Sequence, residues 1–520
     1  HYAFAGGTGK VENYGSITAS HVALIGSHVF NSGTIHSPGG TIILASGTDI
    51  FLGSENSEII VRPAAMPEPG VPVSSGDVIN GPDGEITNPG GQIILAAGDT
   101  FVQAVEGLSD LSLSVSGTKG HVKQYGTINA DNPAGPGGTI AMSAAKDVVV
   151  QAGSSTTVEG TDSSTGGDIN LSGTTIKIYE DLQSNTDMRI LANDSVITSA
   201  NLTSGGDMTI KSTNKGTYIG GTAQSGGDLS ITAGTYISFD GDAVSGGNIT
   251  LETGSNNTYA LGNLLAEGDI GLFTNLYLGG GQWVEESGIT WQGDQTIRSN
   301  SGTVTAEGFI RKETPGQLFI SGGGTNEAGV SVALNHSGPE PAVSNGGNIY
   351  ISGLGDVQIA GDIIAVAPGS LPFPPESDGP INEPAPVGGV AVFSETGGIY
   401  TPGSDAVEVT IVGYSDEVFA TEPIGVDLPY ADGKAAVELV SHDTLKIGTN
   451  AEIIAAGAYL PATEENEGSG VDNRPGIDFL AEDAAIGGYD REKGIASDVA
   501  IYLASTAGNV EINTPHIYVN

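Results

Sequence analysis

A ten-residue phrase recurs in this chain, NSGTIHSPGG at Asn31 to Gly40 and PDGEITNPGG at Pro82 to Gly91. Each copy runs into a strand-like stretch, TIILASG or QIILAAG. A third copy begins at Tyr125 as YGTINA, takes four extra residues before Pro136-Gly137-Gly138 and ends in TIAMSAA. The insertion falls in the turn and spares the strand pattern, which is how a coiled repeat tolerates change.

The second half of the phrase continues alone, as GGDINLSG at Gly166, GGDMTIKS at Gly205, GGDLSITA at Gly226, GGNITLET at Gly246, EGDIGLFT at Glu267 and GGNIYISG at Gly346. Two small residues turn the chain, a polar residue follows, and apolar and polar positions then alternate. Ile169 and Leu171, Met208 and Ile210, Leu229 and Ile231, and Ile249 and Leu251 therefore share one face of short half-buried strands. From Gly205 the starts fall 21, 20 and 21 residues apart, the spacing expected when each coil stacks on the last. The pattern predicts an all-β chain, a β-solenoid.

Composition agrees. Glycine is 81 of 520 residues, more than twice the usual share, and charged residues are 15%, as strands that turn every few residues require. No run of eighteen apolar residues occurs, so no membrane-spanning helix and no membrane insertion are expected. The net charge of −44, from 61 acids and 17 bases without a basic cluster, argues against nucleic acid as a partner and for cations. The absence of cysteine excludes disulfides and thiolate metal sites.

The stretch Phe4 to Leu52 resembles the later part of the secretion domain of filamentous-haemagglutinin-type proteins, which leave the cell by two-partner secretion. The elements that carry the resemblance are G-x-I-x-A at Gly15 to Ala19, HVALIGSHV at His21 to Val29, N-x-G-x-I at Asn31 to Ile35 and the strands at Gly39 and Gly90. It covers Tyr2 to about Gly173; beyond that only solenoid periodicity supports it. The resemblance implies a right-handed parallel β-helix, export across an outer membrane, an extracellular or bacterial cell-surface location, and the role of surface adhesin or stalk. This chain departs from the family in lacking the Asn-Pro-Asn-Gly motif of the N-terminal cap and in beginning at His1 without a leader, so the expectation is a mature or excised product.

On that expectation both ends are solenoid edges. Ala3, Phe4, Val11 and Ile17 would form one, and Ile512, Ile517, Tyr518 and Val519, in the strand-like NVEINTPHIYVN, the other. Edges of one rod present complementary backbone groups, so copies are expected to self-associate head to tail into a fibre. At ~4.8 Å per coil the rod would be on the order of 100 Å long.

Three segments are expected. Residues 1–173 carry the composite repeats, interrupted by the proline-rich Glu55 to Asp77; 174–310 hold the regular repeats; 311–520 hold looser coils with long loops, including Pro368 to Pro386 and Thr463 to Gly476. The loops are expected to project from the rod. A doubled period of about 41 residues shows in the tyrosines, since Tyr179, Tyr218 and Tyr259 lie 13 residues after a repeat start and Tyr236 and Tyr277 lie 10 after theirs.

Asp207, Asp228 and Asp269 occupy one site of successive turns, with Asn248 between. Stacked like charges repel, and calcium would relieve this with oxygen ligands. The alternative is that each carboxylate accepts hydrogen bonds from its own turn. The outward tyrosines could serve as a platform for sugar rings of surface glycans, or simply cover backbone. His21, His28 and His36 match no zinc motif. Among β-helix enzymes, sugar cleavage needs clustered Asp on neighbouring coils plus a basic residue; here Asp240 and Asp242 are the only close D-x-D on an expected strand edge, and Arg189, Arg298 and Arg311 stand isolated among acids. No catalytic residue is nominated and no enzyme is expected. The reading is a self-assembling surface filament subunit, with a monomeric glycan-binding adhesin stalk and a polysaccharide-degrading enzyme as alternatives.

Overall fold

The computed structural model describes residues 2–5, 9–47, 49–55, 58–63, 76–98, 119–161, 166–278, 295–312, 317–336, 341–345, 348–365, 389–402, 409–415, 437–449, 451–457, 476–481, 484–486, 500–514 and 516–519. Every regular element among them is a β-strand, and among these described residues no helix is long and apolar enough to cross a membrane. The chain divides into two compact units, His1–Gly247 with Glu252–Ser255, and Asn248–Leu251 with Asn256–Asn520.

In the first unit three parallel ladders run side by side, and each strand pairs with the strand one circuit on. The first ladder takes Lys10–Asn13, His28–Asn31, Val78–Asn80, Val122–Gln124 and Asp147–Val150, with Val11, Val29, Val78, Val122 and Val148 in register. The second takes Ser16–Thr18, Thr34–His36, Glu85–Thr87 and Thr127–Asn129. The third takes His21–Gly26, Thr41–Ser46, Gln92–Ala97 and Thr139–Ala144. One circuit through the three is a coil. The repeat phrase thus supplies a second-ladder strand, a glycine turn and a third-ladder strand. Asp168–Ile178 and Met188–Thr198 each serve the third and first ladders in one bent strand, with a register shift after Gly173. The expected boundary at 173 lies inside the former, and that at 310 opens the strand Ile310–Lys312.

The second unit uses the same plan. Leu318–Gly322, Ile349–Gly353, Val390–Ser394, Val437–Ser441 and Ala500–Ser505 pair successively in parallel. So do Asp356–Ile359, Ile399–Tyr400, Leu445–Ile447 and Val510–Ile512.

Period-two alternation sends aliphatic side chains inward, and Ile42, Ile93, Ile140 and Ile169 stack in register fully buried. Each contributes roughly 1.5–3 kcal/mol of burial before the entropy of ordering is subtracted. One inward corner is polar. Asn13 donates to Asn31 Oδ1 at 2.7 Å, Asn31 to Asn80 Oδ1 at 2.8 Å and Asn80 to Gln124 Oε1 at 2.9 Å. Spare amide hydrogens reach the carbonyls of Gly33, Gly84 and Gly126, so each buried amide is bonded along the stack and across the turn.

Two antiparallel elements depart from the expected pattern. Tyr2–Ala5, expected at the first solenoid edge, pairs instead with Asp49–Glu55, which pairs with Glu58–Pro63 in a three-stranded antiparallel sheet. The hairpin of Asp49 to Pro63 offers a free edge whose backbone groups the N-terminal strand satisfies, which removes Ala3 and Phe4 from the coil ladder. In the second unit Gly476–Ala481 lies parallel to Ala500–Ser505 and folds back antiparallel onto Ala484–Ile486. Pro368 to Pro386 and nearly all of Thr463 to Gly476 lie outside the described residues.

Candidate functional surfaces

The acidic column runs along one corner of the coils, with Asp207 and Asp228 in S-G-G-D turns and Asp168, Asp187, Asn248 and Asp269 at the same place of related turns. Asp168 Oδ1 accepts the backbone N–H of Asp187 at 3.2 Å, Asp187 that of Asp207 at 3.1 Å and Asp207 that of Asp228 at 2.8 Å. Asn248 accepts from Asp269 at 2.7 Å, and Asp269 from Thr303 at 2.7 Å. The carboxylates therefore bond the next coil, not their own turn. The glycines make room for this. A Cβ on Gly227 would collide with Asp207 Oδ1, one on Gly247 with Asp228 Oδ1, and one on Gly226 with the Gly205 carbonyl. The serine before the glycines closes its own turn, Ser204 donating to the Gly206 carbonyl at 3.0 Å and Ser225 to that of Gly227 at 2.9 Å. Among the described residues no group of three or more His, Asp or Glu is placed to hold a metal ion, and Asp207 and Asp269 each commit Oδ1 to backbone donors.

The residues expected at assembly edges sit in the ladders as follows. Val11 and Ile17 are half-buried, in register with the fully buried Val29 and Ile35. Ile512 and Ile517 are half-buried and pair with the fully buried Ile447 and Ile453. Tyr518 and Val519 are in backbone register with Ile454 and Ala455.

The tyrosines divide between the two units. Tyr259 and Tyr277 stack at 5.1 Å, Tyr277 meets Phe309 edge-on at 5.2 Å, and Phe309 meets His336 at 5.6 Å. Those rings spend their faces on one another. In the first unit Tyr179 and Tyr236 stay exposed. Tyr218 donates to Asp240 Oδ2 at 2.5 Å; this bond, with burial and the carboxylate charge, pushes its hydroxyl pKa up to about 12. Asp240 is thereby engaged by a phenol, and Arg189 pairs with Asp187 at 3.2 Å.

Three features were missed by sequence reasoning. The strands Thr41–Ser46 and Gln92–Ala97 bury their outward side too. Ile43, Ala45, Ile94 and Ala96 form a second apolar cluster, with Ile25 and Ala141 packed against it. The signal was present, because TIILAS and QIILAA are continuous apolar runs rather than alternations. Next, the first ladder carries an outward ion network. Asp77 accepts from Lys123 at 2.7 Å and from the His121 backbone at 3.0 Å, and Asp147 takes Lys177 at 3.1 Å. Burial pushes the Asp77 pKa up, but the Lys123 and His121 bonds outweigh it and hold it below the usual carboxylate value. Last, Glu438 faces outward between Ala391 and Tyr502 in register, yet is only 8% exposed. Burial pushes its pKa up to about 6.

Comparison of the chain with protein-family models, with curated proteins and with solved structures finds no match.

Proposed function

We infer that the protein is an extracellular structural element, a right-handed parallel β-helix of the filamentous-haemagglutinin kind whose copies join end to end in a surface filament. The observation that supports this is the strand-for-strand register of the ladders. Coils of different sequence, such as Thr41–Ser46 over Gln92–Ala97 over Thr139–Ala144, align without offset, so the pairing that joins coil to coil is equally able to join copy to copy. Val11 and Ile17 on one side and Ile512, Ile517, Tyr518 and Val519 on the other are the residues such stacking would use. Electron microscopy of the purified chain tests it. Long fibres whose formation Ile512→Asp blocks are the expected result; discrete particles at all concentrations overturn it.

A second reading, a monomeric adhesin stalk that displays glycan-binding groups on its sides, is favoured by the exposed tyrosines of the first unit. Calcium is not needed for either. If the aspartate column binds it, addition of calcium raises the melting temperature and Asp207→Asn abolishes the rise; an unchanged melting temperature discards the site.

A further inference from the structure

We propose that the strand Gly476–Ala481 is a latch on the joining of copies: on the last coil it holds the place that Ser16–Thr18 of the next copy takes when two ends meet. The proposal rests on the filament reading and names how that contact is regulated.

Turn chemistry identifies the place. In the first unit the second-ladder strand ends in a serine that precedes the glycine turn, as in Ala243–Ser245, where Gly247 N donates to Ser245 Oγ at 3.1 Å. In the last coil Ala500–Ser505 ends the same way, Gly508 N donating to Ser505 Oγ at 2.9 Å. Ser16–Thr18 is the second-ladder strand of the first coil and pairs with Thr34–His36.

The route of the chain then matters. Val437–Ser441 of the coil before lies on one side of Ala500–Ser505. On the other side, where a following coil would add its strand, lies Gly476–Ala481, parallel and in register, Ile477 with Ile501 and Phe479 with Leu503. This strand precedes Ala500–Ser505 in sequence but lies beyond it in the ladder. Burial follows the same division. Ile501 and Leu503 are fully buried, whereas Val510, Ile512 and Ile517 of the same coil are half-buried, as is Ile17 at the other end.

The latch also stops the ladder. Ala484–Ile486 folds back antiparallel on it, so its outer neighbour runs against the coil direction and offers a different hydrogen-bond pattern from a parallel strand. Two added strands at ~4.8 Å each stand about 10 Å proud of the coil. A second copy therefore cannot sit flush on Val510–Ile512 and His516–Val519 until the hairpin leaves. Because the latch belongs to the same chain, its effective concentration favours it over a second copy in dilute solution. Joining then sets in only when copies are concentrated.

The chain has no cysteine, so a pair placed at Leu480 and Ala504, which are in register, tests the latch directly. Fibre formation by the full chain is followed by light scattering and electron microscopy over a concentration series. Oxidised Leu480→Cys/Ala504→Cys is expected to form no fibres where wild type forms them, and to regain them on adding dithiothreitol. A chain with residues 475–487 replaced by Gly and Ser in equal number is expected to join at about tenfold lower concentration, since the competing closed state is gone. Circular dichroism checks that its coils persist; if they do not, the cysteine pair decides alone. A pair that does not close on oxidation, or that forms fibres equally when oxidised and reduced, overturns the latch and leaves the filament reading standing. Fibres absent from every folded chain overturn both.

Discussion

The coils built on Thr41–Ser46 and Gln92–Ala97 and those built on Met208–Ser212 and Leu229–Ala233 belong to one unit and share one ladder, yet they are stabilised differently. In the early coils both sides of the third-ladder strand are buried, Ile93 inward and Ile94 outward. In the later coils only the inward positions are buried, Met208 and Ile210 in one strand and Leu229 and Ile231 in the next, while Thr209 and Ser230 are half-covered. The inward corner changes too, from the amide column of Asn31, Asn80 and Gln124 to Ile178, Ile219 and Phe239, with one buried hydroxyl, Thr198, between Ile178 and Ile219. Glycine changes its task as well. Gly39 and Gly90 adopt φ of +67° in their turns, a conformation that side chains resist, whereas Gly226 and Gly227 give space for backbone and carboxylate of the coil before. A shared coil outline thus tolerates different interiors because only the backbone pairing is common to all coils.

The strongest way to break this contrast is to place a charge on each face. Ile93→Asp and Ile94→Asp are both expected to destabilise the early coils by about 4 kcal/mol, since each leaves an unpaired buried carboxylate. In the later coils Ile231→Asp should do the same, while Ser230→Asp should stay within about 0.5 kcal/mol. Urea denaturation of the four variants would expose the asymmetry; equal losses for Ser230→Asp and Ile94→Asp would refute it.

The corner gives a smaller effect. Asn80→Val should cost about 3 kcal/mol because it strips partners from both Asn31 and Gln124, whereas Ile219→Val, in the apolar corner, should cost about 1 kcal/mol. The comparison is sharpened by thermal melting of both variants side by side.

In the second unit the covered outer face contains Glu438, and pH reads its cover. The folded chain keeps the Glu438 proton up to about pH 6, against 4.5 ordinarily. Folded chains then bind more protons than unfolded ones in that interval, so stability falls as pH rises through it, by about 2 kcal/mol. Above pH 6 Glu438→Gln should be the more stable protein, and the difference should vanish below pH 4.5. A pH-independent difference would show that the face is wet.

The turn grammar is tested by a double-mutant cycle. Gly227→Ala should destabilise by about 2 kcal/mol through its collision with Asp207 Oδ1, and Asp207→Ala by about 1.5 kcal/mol through the lost charge-assisted bond. Made together they should cost less than the sum, because removing the carboxylate removes the collision. Strict additivity would mean that the two do not meet. Smallest of all is the exposed pair of Lys215 and Asp194 at 2.8 Å, whose loss should stay below about 0.5 kcal/mol.

Much of the fold was legible because the coil is a local object. Glycine pairs mark the turns, period two marks the inward face, and the strands Met208–Ser212 and Leu229–Ala233 fall where alternation puts them. The acidic column was legible as a column, but its chemistry was not. Asp207 serves the N–H of Asp228 because stacking brings that donor 2.8 Å from its carboxylate, and no spacing within a single turn reveals it. Tyr236 was visible as an outward aromatic, while the seat of its ring against Gly216 in the coil before was not. The antiparallel partner of Tyr2–Ala5 lies more than forty residues away, beyond the reach of any repeat pattern.

The sequence by itself determined that this protein is all-β, that its coils repeat, and which side chains form the inner ladders, because each follows from turn residues and alternation within about twenty positions. Tertiary structure alone decided which outward faces are covered, which carboxylates bond which backbone, and where the first strand goes. Those outcomes depend on what the neighbouring coil or an inserted hairpin places a few ångströms away, and the local pattern carries no record of that distance.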